Sequence, residues 1–144
     1  MNARLTSSLD WAAIHTGDEL PRLELPMTAT RIVAGAIATR DFMPVHHDRD
    51  YANSQGAPDI FMNIISTNAY CSRFLTDWAG PETMIKRIAI KLGAPVFPGS
   101  VLTYTGEVTA TSEAGGEGTV EVAFRARTDV AEHLSGTATI TLPA

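Results

Sequence analysis

A chain of 144 residues with one cysteine, no excess of basic residues and little charge of either sign has several function classes closed to it at once. Cys71 has no partner for an internal disulfide, so no oxidising compartment is indicated. The 11 Lys+Arg against 16 Asp+Glu leave a formal charge of −5, the wrong sign for a phosphate backbone or an anionic bilayer. Met1 to Gly17 lacks the apolar h-region of an export signal, so a cytoplasmic protein is the expectation. Charged residues are only 19% of the chain, below the usual quarter, against 44% apolar. That scarcity implies more buried surface than one small monomer covers, and so an oligomer. The length allows one domain and one site.

Repeats, low-complexity stretches and long linkers are also missing, which leaves periodicity to organise the chain. Thr6 to Ile14 reads as a short helix capped by Ser7 or Ser8. Gly17 to Pro26, with Leu20, Leu23 and Leu25 among two prolines, reads as an irregular strand, and Thr28 to Ala38 as a second, β-branched strand. The longest apolar segment, Asp59 to Trp78, lies between Gly56-Ala57-Pro58 and Gly80-Pro81, which are helix start and stop signals. Asp59 is expected to cap it and Gly80 to supply a left-handed exit. Ile60, Phe61, Met62, Ile64 and Ile65 point nearly all round the axis, which predicts a buried helix. The polar residues from Asn63 to Arg73 argue against a membrane span.

Beyond Pro81 four stretches alternate with period two: Ile88 to Leu92, Leu102 to Thr109, Val120 to Arg127 and Leu134 to Leu142. Gly115-Gly116-Glu117-Gly118 and Asp129 mark the connections between them. In the last run Leu134, Ala138, Ile140 and Leu142 share one face, and His133, Thr137, Thr139 and Thr141 the other. One long buried helix followed by an antiparallel meander is an α+β layout in which a curved sheet wraps the helix.

The most polar knot is Thr39-Arg40-Asp41-Phe42-Met43-Pro44-Val45-His46-His47-Asp48-Arg49-Asp50. Asp41 and His46 are five apart, a spacing that splays them in any regular element. Pro44 between them fixes its own φ and biases Met43 away from the helical region, so a bend can return both side chains to one pocket. A carboxylate and an imidazole near one substrate atom suit the addition or elimination of water, one group taking a proton while the other gives one. The commoner use of such residues is a cap plus a surface histidine, and the spacing leaves both readings open. His46-His47-Asp48 does not complete a metal set, because neighbours in extended chain point apart and no further His or Cys cluster is at hand. His15 and His133 read as ordinary surface histidines, His47 as supporting or exposed, and Cys71 as a small buried apolar residue. Tyr70 and Trp78 read as core or subunit interface; Phe42 and Phe61 could line an acyl pocket, with core packing the commoner use.

Asp41-Phe42-Met43-Pro44-Val45-His46, followed by Asp48 and Ala52, resembles the hydratase signature of the MaoC-like enoyl-CoA hydratases, in which Asp, Asn-Pro, an aliphatic residue and His stand in this order. Gly17-Asp18-Glu19-Leu20-Pro21 is similar to their opening strand, and Ala94-Pro95-Val96-Phe97-Pro98-Gly99-Ser100 to their turn before the long third strand. Within that family, the doubled histidine and Thr76-Asp77-Trp78-Ala79-Gly80-Pro81 resemble the small catalytic subunit of the two-chain hydratases of bacterial steroid side-chain degradation. Met43 departs from the general signature, which has asparagine there.

The resemblance implies a hot-dog fold over residues 17–144, with residues 1–16 as an N-terminal extension. It implies hydration of a trans-2-enoyl-CoA, a C22 steroid acyl group among the candidates, with Asp41 and His46 as the catalytic pair and the backbone amide of Asn63 as the oxyanion donor. No metal or cofactor is implied, since the CoA thioester is the substrate. The implied partner is a second hot-dog chain, in a heterotetramer with a MaoC-like partner or in a homodimer, because the active sites of this fold form between two units. Two rivals share the fold: an acyl-CoA thioesterase, and a non-catalytic acyl-CoA-binding subunit, against which the presence of both Asp41 and His46 weighs.

Overall fold

The computed structural model describes residues 7–144. Five strands form one antiparallel sheet: β1 (Glu19–Pro26), β2 (Met84–Leu92), β3 (Val101–Ala114), β4 (Glu117–Arg127) and β5 (Glu132–Pro143), in the spatial order β1-β3-β4-β5-β2. Three helices intervene between β1 and β2: α1 (Ala29–Ala38), α2 (Arg49–Ser54) and α3 (Ile64–Ala79). No helix among the described residues is long and apolar enough to cross a membrane.

Alternation in the meander translates directly into burial. Leu102, Tyr104 and Val108 of β3, Val120, Val122, Phe124 and Ala126 of β4, and Leu134, Ala138, Ile140 and Leu142 of β5 are all buried on one face. α3 lies against that face through Thr67, Cys71, Phe74, Leu75 and Ala79. Phe74 sits at the centre, its ring 5.6 Å from Tyr104 and 6.3 Å from Phe124. Gly115 and Gly116, at φ +62° and +81°, close the β3–β4 hairpin; positive φ at both central positions matches the right-handed twist of the strands. The long helix in an antiparallel sheet is the hot-dog layout.

Two helical boundaries differ from the sequence reading. Thr28 to Ala38 is not a strand: Thr28 caps α1 by accepting from the Arg31 amide at 3.1 Å. Its β-branched residues mask a helical period, since the buried positions Ile32 and Ala36 are four apart and alanines fill the turns between them. A side chain at Gly35 would run into the Ser66 hydroxyl, so α1 crosses α3 closely there. The central helix also begins later than Asp59. That carboxylate is engaged by Arg49 Nε at 2.9 Å and by the Ile60 amide, and 60–63 runs extended until Asn63 caps α3. Ile64 and Ile65 are therefore not buried all round but 50% and 48% exposed. The exit is as expected: Gly80 has φ +97°, and its Cβ position is closed by the backbone of Ser7 and Ser8.

The N-terminal segment forms a single 3-10 turn, Trp11–Ala13, capped by Asp10 rather than Ser7 or Ser8; Thr6 lies outside the described residues. Ser8 instead accepts from the Glu82 amide at 2.8 Å, and the Leu9 amide donates to Ala79. β2 is a sheet edge with no fully buried residue; Ile85, Ile88 and Ile90 are half-buried against the core, and Leu92 is exposed.

Phe74→Ala removes the ring on which α3, β3 and β4 converge. It is expected to cost about 3–5 kcal/mol, read as a lowered midpoint in thermal or urea unfolding.

Candidate active site

The C-terminal end of α1 places the first functional side chain. Arg40 stands at φ +57°, the Arg40 amide donates to Ile37 at 3.0 Å and the Asp41 amide to Ala36 at 2.9 Å. These two bonds form a Schellman cap with a non-glycine residue in the left-handed position, a strained choice that sharply redirects the chain at Asp41. Met43 is extended, as a residue before proline should be, and Pro44 opens a 3-10 turn, Pro44–His46. The bend expected from Pro44 is present. His46 Nε2 lies 3.4 Å from Asp41 Oδ2, with the two side chains 10% and 23% exposed.

Each member of the pair is held from behind. His46 Nδ1 bonds the Phe61 carbonyl at 2.7 Å, and the Phe61 ring packs on the imidazole edge-on at 5.1 Å. A carbonyl only accepts, so Nδ1 carries the hydrogen of that bond and Nε2 is the nitrogen turned toward Asp41. Asn63 Nδ2 donates to Asp41 Oδ2 at 3.0 Å and to Thr39 Oγ1 at 2.9 Å, while its Oδ1 accepts from the Ser66 amide at 3.2 Å. The Asn63 hydrogen bond holds the Asp41 carboxyl below the ordinary carboxylate range, aided by the Met43 amide and by His46 and opposed by burial. A carboxylate oxygen and an imidazole nitrogen at this range can share a proton or hold one water between them.

The pair opens into a cavity of about 300 Å³ lined by Asp41, His46, Phe61, Ile64, Thr67 and His133 together with the Leu92–Pro95 segment. A larger cleft of about 560 Å³ runs over the outer face of the sheet, by Arg22, Glu107 and Arg125, away from the Asp–His pair. Asn63 stands at the head of α3, where the first amides have no intrahelical partner and the helix dipole is positive. Its side chain reaches Asp41, and Ile64 is the neighbour that lines the cavity.

Asp48, part of the signature, caps α2 by accepting from the Tyr51 amide. His47 is exposed with Nε2 on the Phe42 carbonyl, and His15 is exposed beside Asp18. Cys71 is buried and its thiol is pushed up to about 11, chiefly by desolvation, which suits a packing role. Phe61 lines the cavity, whereas Phe42 is 62% exposed. His133 corrects the sequence reading, because it is only 5% exposed and faces the cavity. Glu132 pairs with Arg127 and Leu134 with Ala126, so His133 is the extra residue of a β-bulge and turns inward beside Leu134. Alternation alone could not show this; the short break at Asp129 just before it was the available signal.

Asn63→Leu is expected to raise the Asp41 titration midpoint toward the ordinary carboxylate range in carbon-detected NMR, and to cost about 1 kcal/mol through the lost cap. Because the native carboxyl is depressed, its contribution to stability is present above the ordinary carboxyl range and is lost as pH falls through the lowered value.

The chain is similar to known proteins in sequence and in fold. The family model described as MaoC like domain matches residues 10–130. A Mycobacterium tuberculosis protein named 3-oxo-4,17-pregnadiene-20-carboxyl-CoA hydratase beta subunit is 41% identical over 126 residues, 88% of this chain and 95% of that one. Among solved structures, a chain of the ChsH1-ChsH2 complex from Mycobacterium tuberculosis superposes with a TM-score of 0.84 at 41% identity, over 89% of this chain and 98% of that one. The (R)-hydratase from A. caviae involved in PHA biosynthesis has a TM-score of 0.81 at 24% identity, over 91% of this chain and 98% of that one, a likeness of fold alone. With a family model over most of its length and a relative of this identity across nearly the whole of both chains, the chain belongs to the MaoC-like domain family.

Proposed function

We propose that the chain is a hydratase that adds water across the double bond of a trans-2-enoyl-CoA. The observation that carries this is the Asp41–His46 pair at 3.4 Å, with Asn63 behind the one and the Phe61 carbonyl behind the other, at the head of α3. A water seated between Oδ2 and Nε2 donates a hydrogen to each and directs its oxygen lone pair at the β-carbon. As the C–O bond forms, that water's proton passes to the Asp41–His46 unit, and the unit delivers a proton to the α-carbon. The two groups lie 3.4 Å apart and share the same water, so the base is the unit rather than either residue. Negative charge that develops on the thioester oxygen meets the free amides at the head of α3, those of Asn63 and Ile64. The step moves protons and one oxygen and calls for no redox cofactor.

The substrate follows the relative named for 3-oxo-4,17-pregnadiene-20-carboxyl-CoA, which makes a steroid side-chain acyl group the preferred reading. The cavity of one chain is about 300 Å³, at the low end for a ligand pocket. Its surroundings are apolar and open: Ile64, Ile65 and Leu92, with Phe42 and Met43 just after Asp41 in the chain, are all 44% exposed or more. A second hot-dog chain over this surface would complete the acyl site and bury the rim, a reading supported by the match to a chain of a two-protein complex.

Asp41→Asn and His46→Ala are each expected to lower hydration of 3-oxo-4,17-pregnadiene-20-carboxyl-CoA at least about a hundredfold, with an unchanged circular dichroism spectrum. A near-wild-type rate in either variant would remove that residue from the mechanism.

A further inference from the structure

His133 is the second histidine of the cavity, and it is wired as His46 is. Each ring gives its Nδ1 hydrogen to a backbone carbonyl at 2.7 Å, Phe61 for His46 and Ala94 for His133. At His46 the other ring nitrogen faces Asp41; at His133 it faces the Thr67 hydroxyl, 3.0 Å away. Burial holds the His133 ring below the ordinary imidazole range, against the Ala94 bond, which keeps it neutral and makes Thr67 the donor. The other acceptor in reach of that hydroxyl, the Asn63 carbonyl, is farther at 3.3 Å.

Two stretches of backbone meet at this contact. The Gly93 amide donates to the His133 carbonyl at 2.7 Å and the Ala94 amide to Glu132 at 2.9 Å, which straps residues 93 and 94 along β5. A side chain at Gly93 would collide with the Glu132 carbonyl, so the approach requires glycine. Thr67 closes the first turn of α3, its amide donating to the Asn63 carbonyl at 3.1 Å. Gly93, Ala94 and Pro95 form one wall of the cavity, and Ile64 and Thr67 form another.

We propose that His133, acting through Thr67, is a positioning residue that ties the Gly93–Pro95 wall to the head of α3 and thereby sets the width of the slot for the acyl thioester. Neither side chain takes part in the proton transfers at Asp41 and His46. Without the tie, a buried lone pair is left unpaired and the walls can part, a cost that falls on bound substrate and transition state alike. The effect therefore appears in binding and KM, not in kcat. Its kinetic half rests on the hydratase reading; its binding half needs only that the cavity takes an acyl-CoA.

The test compares Thr67→Val, which keeps shape and removes the hydroxyl, with Thr67→Ser, which keeps the hydroxyl, in the full chain purified with its hot-dog partner. Turnover is followed with 3-oxo-4,17-pregnadiene-20-carboxyl-CoA, and binding by calorimetry with its analogue reduced at the side-chain double bond. Thr67→Val is expected to raise KM and Kd about tenfold with kcat within about threefold of wild type, and Thr67→Ser to stay within about threefold throughout. Unchanged KM and Kd in Thr67→Val, a loss confined to kcat, or equal losses in both variants would overturn the proposal. If Thr67→Val does not fold, Thr67→Ala takes its place against Thr67→Ser. A wild-type complex that binds the analogue without hydrating the substrate sinks the hydratase reading, while the ratio of Kd values still decides the role of His133. A complex that binds neither compound overturns both.

Discussion

Asn63 uses both ends of its side-chain amide at the point where an extended segment becomes α3. Oδ1 accepts from the Ser66 amide and starts the helix; Nδ2 donates to Asp41 and Thr39 and so fixes the loop that leaves α1. The side chain is 1% exposed, and buried amides of this kind are costly unless fully paired. One residue thus couples the start of the central helix to the orientation and charge of the carboxylate. The same helix carries Phe74 into the sheet core, so packing of the hot-dog layers and geometry of the site are parts of one construction.

From that junction the rest of the site follows with few degrees of freedom. The strained turn at Arg40 aims Asp41 back, Pro44 brings His46 round to meet it, and the Phe61 carbonyl sets the imidazole tautomer. The amides at the head of α3 supply partial positive charge next to the pair. Met43 occupies the position where the wider family signature has asparagine, yet Asp41 still receives a side-chain amide, delivered by Asn63 from across the site. Phe42, Met43, Ile64, Ile65 and Leu92 are exposed apolar residues in a chain of low charge content, and Ile64 and Leu92 line the cavity.

Much of this was legible in the sequence where a local rule and the tertiary structure point the same way. Strands β3, β4 and β5 bury the residues that alternation selects, and Pro44 produces the bend that unites Asp41 with His46. The misreadings have specific causes. At α1, β-branched residues suggested a strand, while burial at Ile32 and Ala36 against α3 favoured a helix. At the start of α3, Asp59 was a plausible cap until Arg49 engaged it, ten residues away in sequence. His133 was hidden by a bulge, and a one-residue offset in register sends a side chain to the other face. In each case a partner distant in sequence overrode a sound local preference.

On the proposed mechanism, a water held between Asp41 and His46 enters the acyl chain and leaves the thioester alone. Incubation of the purified complex with 3-oxo-4,17-pregnadiene-20-carboxyl-CoA in oxygen-18 water, followed by mass spectrometry, locates that oxygen. The expected product is a hydroxyacyl-CoA carrying one labelled oxygen on the β-carbon, with no free thiol released. Label in a free carboxylic acid, together with stoichiometric CoA thiol, would contradict it and make the chain a thioesterase.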